Sequence, residues 1–331
     1  MLDNTVAYLI SAHKFNNKNC KLPDLVPPDY VRVQYKYCGI CGGDYSRFLG
    51  YRNSYPVSLG HEFVAQVLDI NCAENLNYAV GDYVVSDFNY RCMKCPLCLK
   101  NESHLCEKND IGLFSNRAFS QYGDIHYSYL VKTSIPSEYI FRATNIEPLS
   151  CIVHAMDHYN LSEISSVLIY GTGNIGMLCA FYLSCCKGKT VYVFDQNNIK
   201  QKLVSDSFSC TPINSKMSYD LVIEATNNPW GLLQCIDNCN SPKNICSFSH
   251  LYGQNTNNIY DKLVKNECNI FFPLRNGSIE TLNRANDEIA CKWEKKYDQL
   301  VQIYKTNNLN FPFEDKHKCN KPKQVIEFIK D

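Results

Sequence analysis

Up to about Leu149 the apolar residues come in short runs broken by Pro and Gly, such as "YVRVQYKYC", "FVAQVLDI" and "DYVVSDF". Runs of that length, rich in β-branched and aromatic residues, predict the strands of a β-rich, barrel-like lobe. Then the pattern changes. Residues 167–170 form a strand-type apolar run, 175–185 are apolar over helical length, and 191–194 are strand-type again. "YDLVIEAT", the helical "WGLLQCIDNC" and "KNICSFSHLYG" continue the alternation. Repeated strand–helix units predict a parallel, doubly wound sheet, so the fold class is α/β with a β-rich lobe ahead of it. From about Phe271 the pattern turns helical, "KPKQVIEFIKD" included, and this tail is expected to pack back on the first lobe. The division expected is 1–149, completed by about 271–331, against 150–270. The Asn-rich "HLYGQNTNN" reads as a loop.

Composition narrows the function classes. A chain of 331 residues accommodates two domains. Its formal net charge of zero gives no field that favours nucleic acid or an anionic membrane. No apolar run approaches the ~20 residues that span a bilayer. The opening "MLDNTVAYLISAHKF" lacks a basic start followed by an apolar core, so a cytoplasmic protein is expected. In a reducing compartment the nineteen cysteines are metal ligands or small buried hydrophobes rather than disulfides. Scattered ones such as Cys72, Cys179, Cys210, Cys239 and Cys291 are expected to be buried packing.

The clustered cysteines carry chemistry. Cys92, Cys95, Cys98 and Cys106 follow the spacing C-x2-C-x2-C-x7-C. Two residues between ligands let a tight turn aim both thiolates at one ion, and the longer arm closes a tetrahedron. Four sulfurs with no open position make a structural zinc site. Iron–sulfur clusters also take four thiolates, at other spacings. The flanking Met93, Lys94, Lys100, Asn101 and Glu102 suit a loop pinned by metal.

"CGICGGD", from Cys38 to Asp44, is different. Cys41 is followed downstream by His61 and Glu62 in "GHEF", and by Glu147 in "IEPLSCIVHA". Cys, His and Glu drawn from separate segments suggest an open, catalytic zinc site, whose free position takes water or a substrate oxygen. Asp44 would orient a ligand histidine from the second layer of contacts.

The cofactor half has its own fingerprint. Gly171, Gly173 and Gly176 make G-x-G-x-x-G between a strand and a helix, with Asn174 and Ile175 in the same turn. Asp195 closes the next strand. That context makes the glycines a dinucleotide turn, with the pyrophosphate at the helix N-terminus. Asp195 would bond the adenosine ribose hydroxyls and repel a 2′-phosphate, which favours NAD over NADP.

"GICGGD", "GHE", the four-cysteine lobe and "EPL…HA" occur here in the order found in zinc-dependent medium-chain alcohol dehydrogenases, from about residue 25 to about 280. The chain most resembles their sorbitol and polyol dehydrogenase branch, where "GICGSD" and "EPL" are characteristic. The resemblance implies a GroES-like catalytic domain and a Rossmann domain, two zinc ions, NAD(H), and a homodimer or homotetramer. It implies Cys41, His61 and Glu147 as catalytic zinc ligands, with Glu62 beside the metal, ligating directly or exchanging with Glu147. Cys38 is then a bystander. The implied reaction is hydride transfer between NAD(H) and a secondary alcohol or ketone: a polyol, a sugar alcohol, a cyclitol, or a sugar phosphate if Arg47 or Arg52 reaches the cleft. The chain departs from the family twice. Gly43 stands where a Ser or Thr relays the substrate proton, which leaves water, Tyr45 or Ser46 for that task. The family's closing strand after the "KPKQVIEFIKD" segment is not evident, so C-terminal packing is expected to be missing or rebuilt. Gly43 also keeps open a non-catalytic relative that binds NAD and zinc in a structural or sensing role. A thiol–disulfide enzyme built on Cys38 and Cys41 is the weaker alternative.

Overall fold

The structure is a computed structural model; it describes all residues except 53, 88–90, 93, 101, 109–116, 214–217, 251–256 and 330–331. Most of the expected "HLYGQNTNN" loop, together with Met93 and Asn101, lies outside the described residues.

The first part of the chain runs β1 (Leu2–Ser11), β2 (Lys14–Leu22), β3 (Tyr30–Gly39), α1 (Gly42–Phe48), β4 (Val57–Ser58), β5 (Glu62–Asn71) and β6 (Tyr83–Ser86). A short α2 (Pro96–Leu99) and strands β7 (Tyr122–His126) and β8 (Leu130–Lys132) follow. Next come α3 (Ile146–Met156), β9 (Ser166–Tyr170), α4 (Asn174–Ala180), β10 (Thr190–Phe194), α5 (Asn198–Phe208) and β11 (Thr211–Pro212). The alternation continues through β12 (Tyr219–Glu224), α6 (Pro229–Asp237), β13 (Cys239–Ser247), α7 (Asn257–Lys265) and β14 (Asn269–Phe271). The tail is α8 (Ile279–Lys292), β15 (Val301–Lys305), α9 (Asn310–Asp315) and β16 (Lys323–Glu327).

Strands β9 to β14 form one sheet in the order β11-β10-β9-β12-β13-β14, parallel throughout. Its central strands are apolar on both faces, with Val167, Leu168 and Ile169 all fully buried. That is what helices on both sides of a parallel sheet require. The other large sheet has the order β15-β16-β3-β5-β6-β8, with β7 also on β3, and the β1–β2 hairpin pairs with β4 in a third. The α/β class with a β-rich lobe is therefore the observed architecture. No helix among the described residues is long and apolar enough to cross a membrane.

Two expectations about side chains and elements need correction. "KPKQVIEFIKD" was expected to be helical, yet Lys323–Glu327 is a strand, parallel to β15 and antiparallel to β3. Lys323, Gln324, Val325 and Ile326 are all buried, so pairing on both edges and burial on both faces override a local helical pattern. This strand is the closing strand whose loss the sequence suggested. Among the scattered cysteines, Cys179, Cys210 and Cys239 are buried as expected, but Cys291 is exposed and Cys72 only partly covered; Cys291 sits in the last turn of α8, on the side away from the core residue Ile289.

An aromatic cluster ties the tail to the first lobe. The Phe313 ring, on α9, lies 4.8 Å from Phe15 and 5.2 Å from Phe48 at the end of α1. A polar clamp does the same beside α3. Arg142 donates to both carboxylate oxygens of Asp298, at 2.8 and 2.6 Å, and to the Trp293 carbonyl at 3.3 Å. Trp293 Nε1 also donates to Asp298, at 3.1 Å. Arg142 is 9% exposed, so its removal strands a largely enclosed carboxylate. Arg142→Ala should cost about 3 kcal/mol, read as a thermal midpoint several degrees lower, whereas Arg142→Lys should recover only part of the loss because an ammonium cannot form the two-pronged contact.

Candidate active site and metal centres

Cys41 is the N-cap of α1, and its Sγ accepts a hydrogen bond from Gly43 N at 3.4 Å. Capping holds the sulfur at the helix end; burial and then the Glu62 and Asp44 charges push its thiol well up, against the smaller opposing effect of the Gly43 hydrogen bond. His61 and Glu62 stand at the start of β5, beside the end of β3, where Gly39 pairs with Glu62. Ligand atoms of Cys41, His61 and Glu62 all lie within 4.8 Å of one another. A soft sulfur, an imidazole and a carboxylate at that separation make a donor set suited to zinc with an open position. Asp44, buried in the first turn of α1, brings Oδ2 to 3.6 Å from His61 Nδ1.

The structure separates the two glutamates. Lys323 Nζ, fully buried, donates to Glu62 Oε2 at 2.6 Å and to the Thr144 carbonyl at 3.1 Å. Burial raises the Glu62 pKa, but the Lys323 and His61 charges outweigh it, and the net shift is downward. Glu147, in the first turn of α3, does not join the three-residue group. Burial and then the Glu62 charge push its pKa well up. Cys151, one turn on, donates to Glu147 Oε1 at 3.7 Å. Glu62 is thus the carboxylate that stands with Cys41 and His61, and Glu147 lies outside that group. Of the relay candidates, Ser46 has its hydroxyl committed to the Gly43 carbonyl at 2.8 Å. A Cβ on Gly43 would meet only Cys41 Sγ, at 3.8 Å, so that position is open.

The four cysteines of the lobe converge. Sγ–Sγ separations are 3.6 Å for Cys92–Cys106, 3.8 Å for Cys95–Cys106 and 3.9 Å for Cys92–Cys98. A tetrahedron of zinc–sulfur bonds of about 2.3 Å has edges of about 3.8 Å, so the spacing fits that ion. Backbone N–H groups of Lys94 and Cys95 donate to Cys92 and, against a smaller burial effect, lower its thiol to about 6.

The glycine turn lies at the C-terminal end of β9. Gly171 takes φ +91°, and a Cβ on Gly176 would fall 1.7 Å from the Gly171 carbonyl oxygen, so both must lack side chains. Asp195 holds this turn from the next strand: Oδ2 accepts from Thr172 N at 2.6 Å and Thr172 Oγ1 at 2.9 Å, and Oδ1 from Asn197 N at 2.8 Å. Gly171, Gly173 and Asp195 line a cleft with Lys200, Thr226 and Trp230. That cleft opens where neighbouring strands lead to opposite faces of a doubly wound sheet, the usual position for a nucleotide. Ile175 begins α4 beside Asn174, whose Nδ2 donates to Glu62 Oε1 at 3.4 Å. One residue of the turn thus touches one residue of the metal-ligand group.

Sequence reasoning missed Lys323, Lys200, Thr226 and Trp230. Lys200 lies five residues after Asp195 and could have been found by its distance from the fingerprint. Lys323 left no local signal, because its burial follows from a pairing made across most of the chain.

Residues 27–136 match the model of the alcohol dehydrogenase GroES-like domain. The chain is 30% identical over 177 residues to the sorbitol dehydrogenase of Halalkalibacterium halodurans, covering 52% of this chain and 50% of that protein. It is 35% identical over 162 residues to the D-arabitol-phosphate dehydrogenase of Enterococcus avium, covering 45% and 43%. The chain thus spans half or less of the length of these two curated relatives. Its fold superposes on L-idonate 5-dehydrogenase from Escherichia coli with a TM-score of 0.83, covering 99% of each chain at 16% identity, a likeness of fold alone. Residues 27–136 thus carry an alcohol dehydrogenase GroES-like domain, and the parts of the chain that match these relatives are similar to polyol and polyol-phosphate dehydrogenases.

Proposed function

We propose that the protein is a zinc-dependent oxidoreductase that moves a hydride between NAD(H) and a secondary alcohol or its ketone, on a polyol, sugar alcohol or sugar phosphate. One observation carries the reading: a Cys–His–Glu donor set within 4.8 Å stands in hydrogen-bond contact with a dinucleotide-type glycine turn, through Asn174 and Glu62. In this reading Cys41, His61 and Glu62 hold the catalytic ion, and Cys92, Cys95, Cys98 and Cys106 hold a second ion that fixes the lobe. When bound, zinc supplies Lewis acidity that makes an alcohol proton easier to lose near neutral pH, and NAD supplies the hydride acceptor.

The chain's own residues do the rest. Asp44 orients the His61 imidazole. Lys323 holds Glu62 in place and lowers its pKa against burial, while burial and the Glu62 charge raise that of Glu147, so two neighbouring carboxyl groups can take different roles. Thr172 and Asp195 hold the glycine turn open to a pyrophosphate, with the Asp195 carboxylate against the adenosine ribose. Residues 1–149 with 271–331 are taken as the catalytic unit and 150–270 as the cofactor unit; β15 and β16 joining β3 supports that division. The relatives named for sorbitol and for arabitol phosphate support a polyhydroxylated substrate. Nineteen cysteines with no disulfide among the described residues suit the cytoplasm. A homo-oligomer joined through the cofactor units is supported by the free edge of β14, followed by exposed Phe272 and Leu274; light scattering should give at least twice the monomer mass.

NAD+ reduction across polyols, polyol phosphates and cyclitols tests the activity. Turnover on at least one should fall by about three orders of magnitude or more in Cys41→Ala, with zinc content dropping from two ions per chain to one. Turnover that survives Cys41→Ala would sink the metal role, and a wild type that holds one zinc and turns over nothing would favour the non-catalytic relative. Cys98→Ser should also lose one zinc, but its main effect should be a lower thermal midpoint, since that site does no chemistry. NAD should be used in preference to NADP, and Asp195→Ala should narrow the ratio of kcat/KM by about tenfold or more; an unchanged ratio would remove Asp195 from cofactor selection.

A further inference from the structure

Lys316 forms the C-cap of α9, which the Phe313 cluster fastens against α1. Its ammonium donates to the Ile40 carbonyl at 3.2 Å and to Gln324 Oε1 at 3.0 Å, and stands 5.6 Å from the centre of the Tyr45 ring. All three neighbours are uncharged. Among the described residues, neither Lys316 nor Lys200 has a carboxylate partner. A partly buried ammonium held only by neutral acceptors lacks the counter-ion that charges away from water normally have.

The surroundings say which anion would supply it. Burial lowers Lys316 to about 8; Glu62 and Cys41 act in the opposite direction, and Lys323 and Lys200 lower it further. Its bond to the Ile40 carbonyl sets Lys316 beside the segment that carries Cys41. A direct contact fixes the second side. Asn197 Nδ2, at the N-cap of α5, donates to Asn320 Oδ1 at 3.1 Å, which draws the loop after Lys316 onto the turn that carries Lys200. Lys200 lines the cleft with Asp195 and Trp230. A dinucleotide bound in that cleft and reaching towards Cys41 would bring its phosphates to the tail side, where Lys316 stands. A neutral polyol would offer these ammonium groups no charge.

We propose that Lys316 is a positioning residue for the cofactor, which neutralises the pyrophosphate from the tail side of the cleft while Lys200 acts from the sheet side. The proposal rests on the dinucleotide reading above. Because Lys316 also holds the Ile40 carbonyl, next to Cys41, it links the phosphates to the segment that carries the metal-ligand cysteine.

The test measures binding, not turnover, on the full zinc-loaded chain. NADH affinity is read by its fluorescence, and ADP-ribose and adenosine are measured as competitors. Lys316→Met should weaken NADH and ADP-ribose by about tenfold or more and leave adenosine within about twofold, because only the first two carry the pyrophosphate. Lys316→Arg should restore most of the affinity. Unchanged NADH binding in Lys316→Met would overturn the proposal, and so would adenosine weakened as much as ADP-ribose, which would mean a disturbed pocket. A wild type that binds neither NADH nor ADP-ribose would overturn the cofactor reading itself, a result separable from the variant outcomes.

Discussion

The ion pair between Lys323 and Glu62 is the contact on which the site's geometry depends. It joins the last strand of the chain to the first residue of β5, across 261 positions, at 2.6 Å and out of contact with water. Burying two charges is costly, and such a pair is poor evidence for stability by itself. Its effect is directional. The ammonium also binds the Thr144 carbonyl just before α3, so one atom fixes the separation between β5, β16 and the segment that delivers Glu147. Space for the pair comes from Gly39: a Cβ there would fall 2.5 Å from both Lys323 Nζ and Glu62 Oε2.

The two metal centres are built on opposite principles. The four-cysteine centre is local, with all its ligands between Cys92 and Cys106, so chain connectivity alone brings the sulfurs near each other. The Cys–His–Glu group is assembled from a helix cap and a strand start, and its carboxylate is held by a lysine from the far end of the chain. A local clamp can hold a loop in shape with little help from the rest of the protein. An open site that must meet a cofactor needs the sheet, the tail and the glycine turn to arrive together. The contact of Asn174 with Glu62 is where they do.

The cofactor side shows the same division of labour within one motif. The glycines are dictated by space, because Gly176 packs against the Gly171 carbonyl with no room for a methyl group. Asp195 has its carboxylate engaged by Thr172 and the Asn197 backbone, so it shapes the turn as well as lining the cleft. The tail also reaches the start of α5, where Asn197 donates to Asn320, and the end of β3, where Lys316 donates to the Ile40 carbonyl.

Periodicity, the glycine spacing and the cysteine spacing determined a great deal from sequence alone: the β-rich lobe, the parallel sheet, the nucleotide turn and the four-sulfur centre. Each is a short-range pattern whose physics acts within one or two elements. The same reasoning named Cys41, Asp44, His61, Glu62 and Glu147 but favoured Glu147 over Glu62 as the ligand. In the structure Glu62, not Glu147, stands with Cys41 and His61, held by Lys323, a residue in a segment that reads as helix and folds as strand. Strand pairing is a long-range contact, and the protonation of a buried carboxyl depends on which charges the fold brings beside it. Neither quantity is encoded in the local sequence, so neither could be read there.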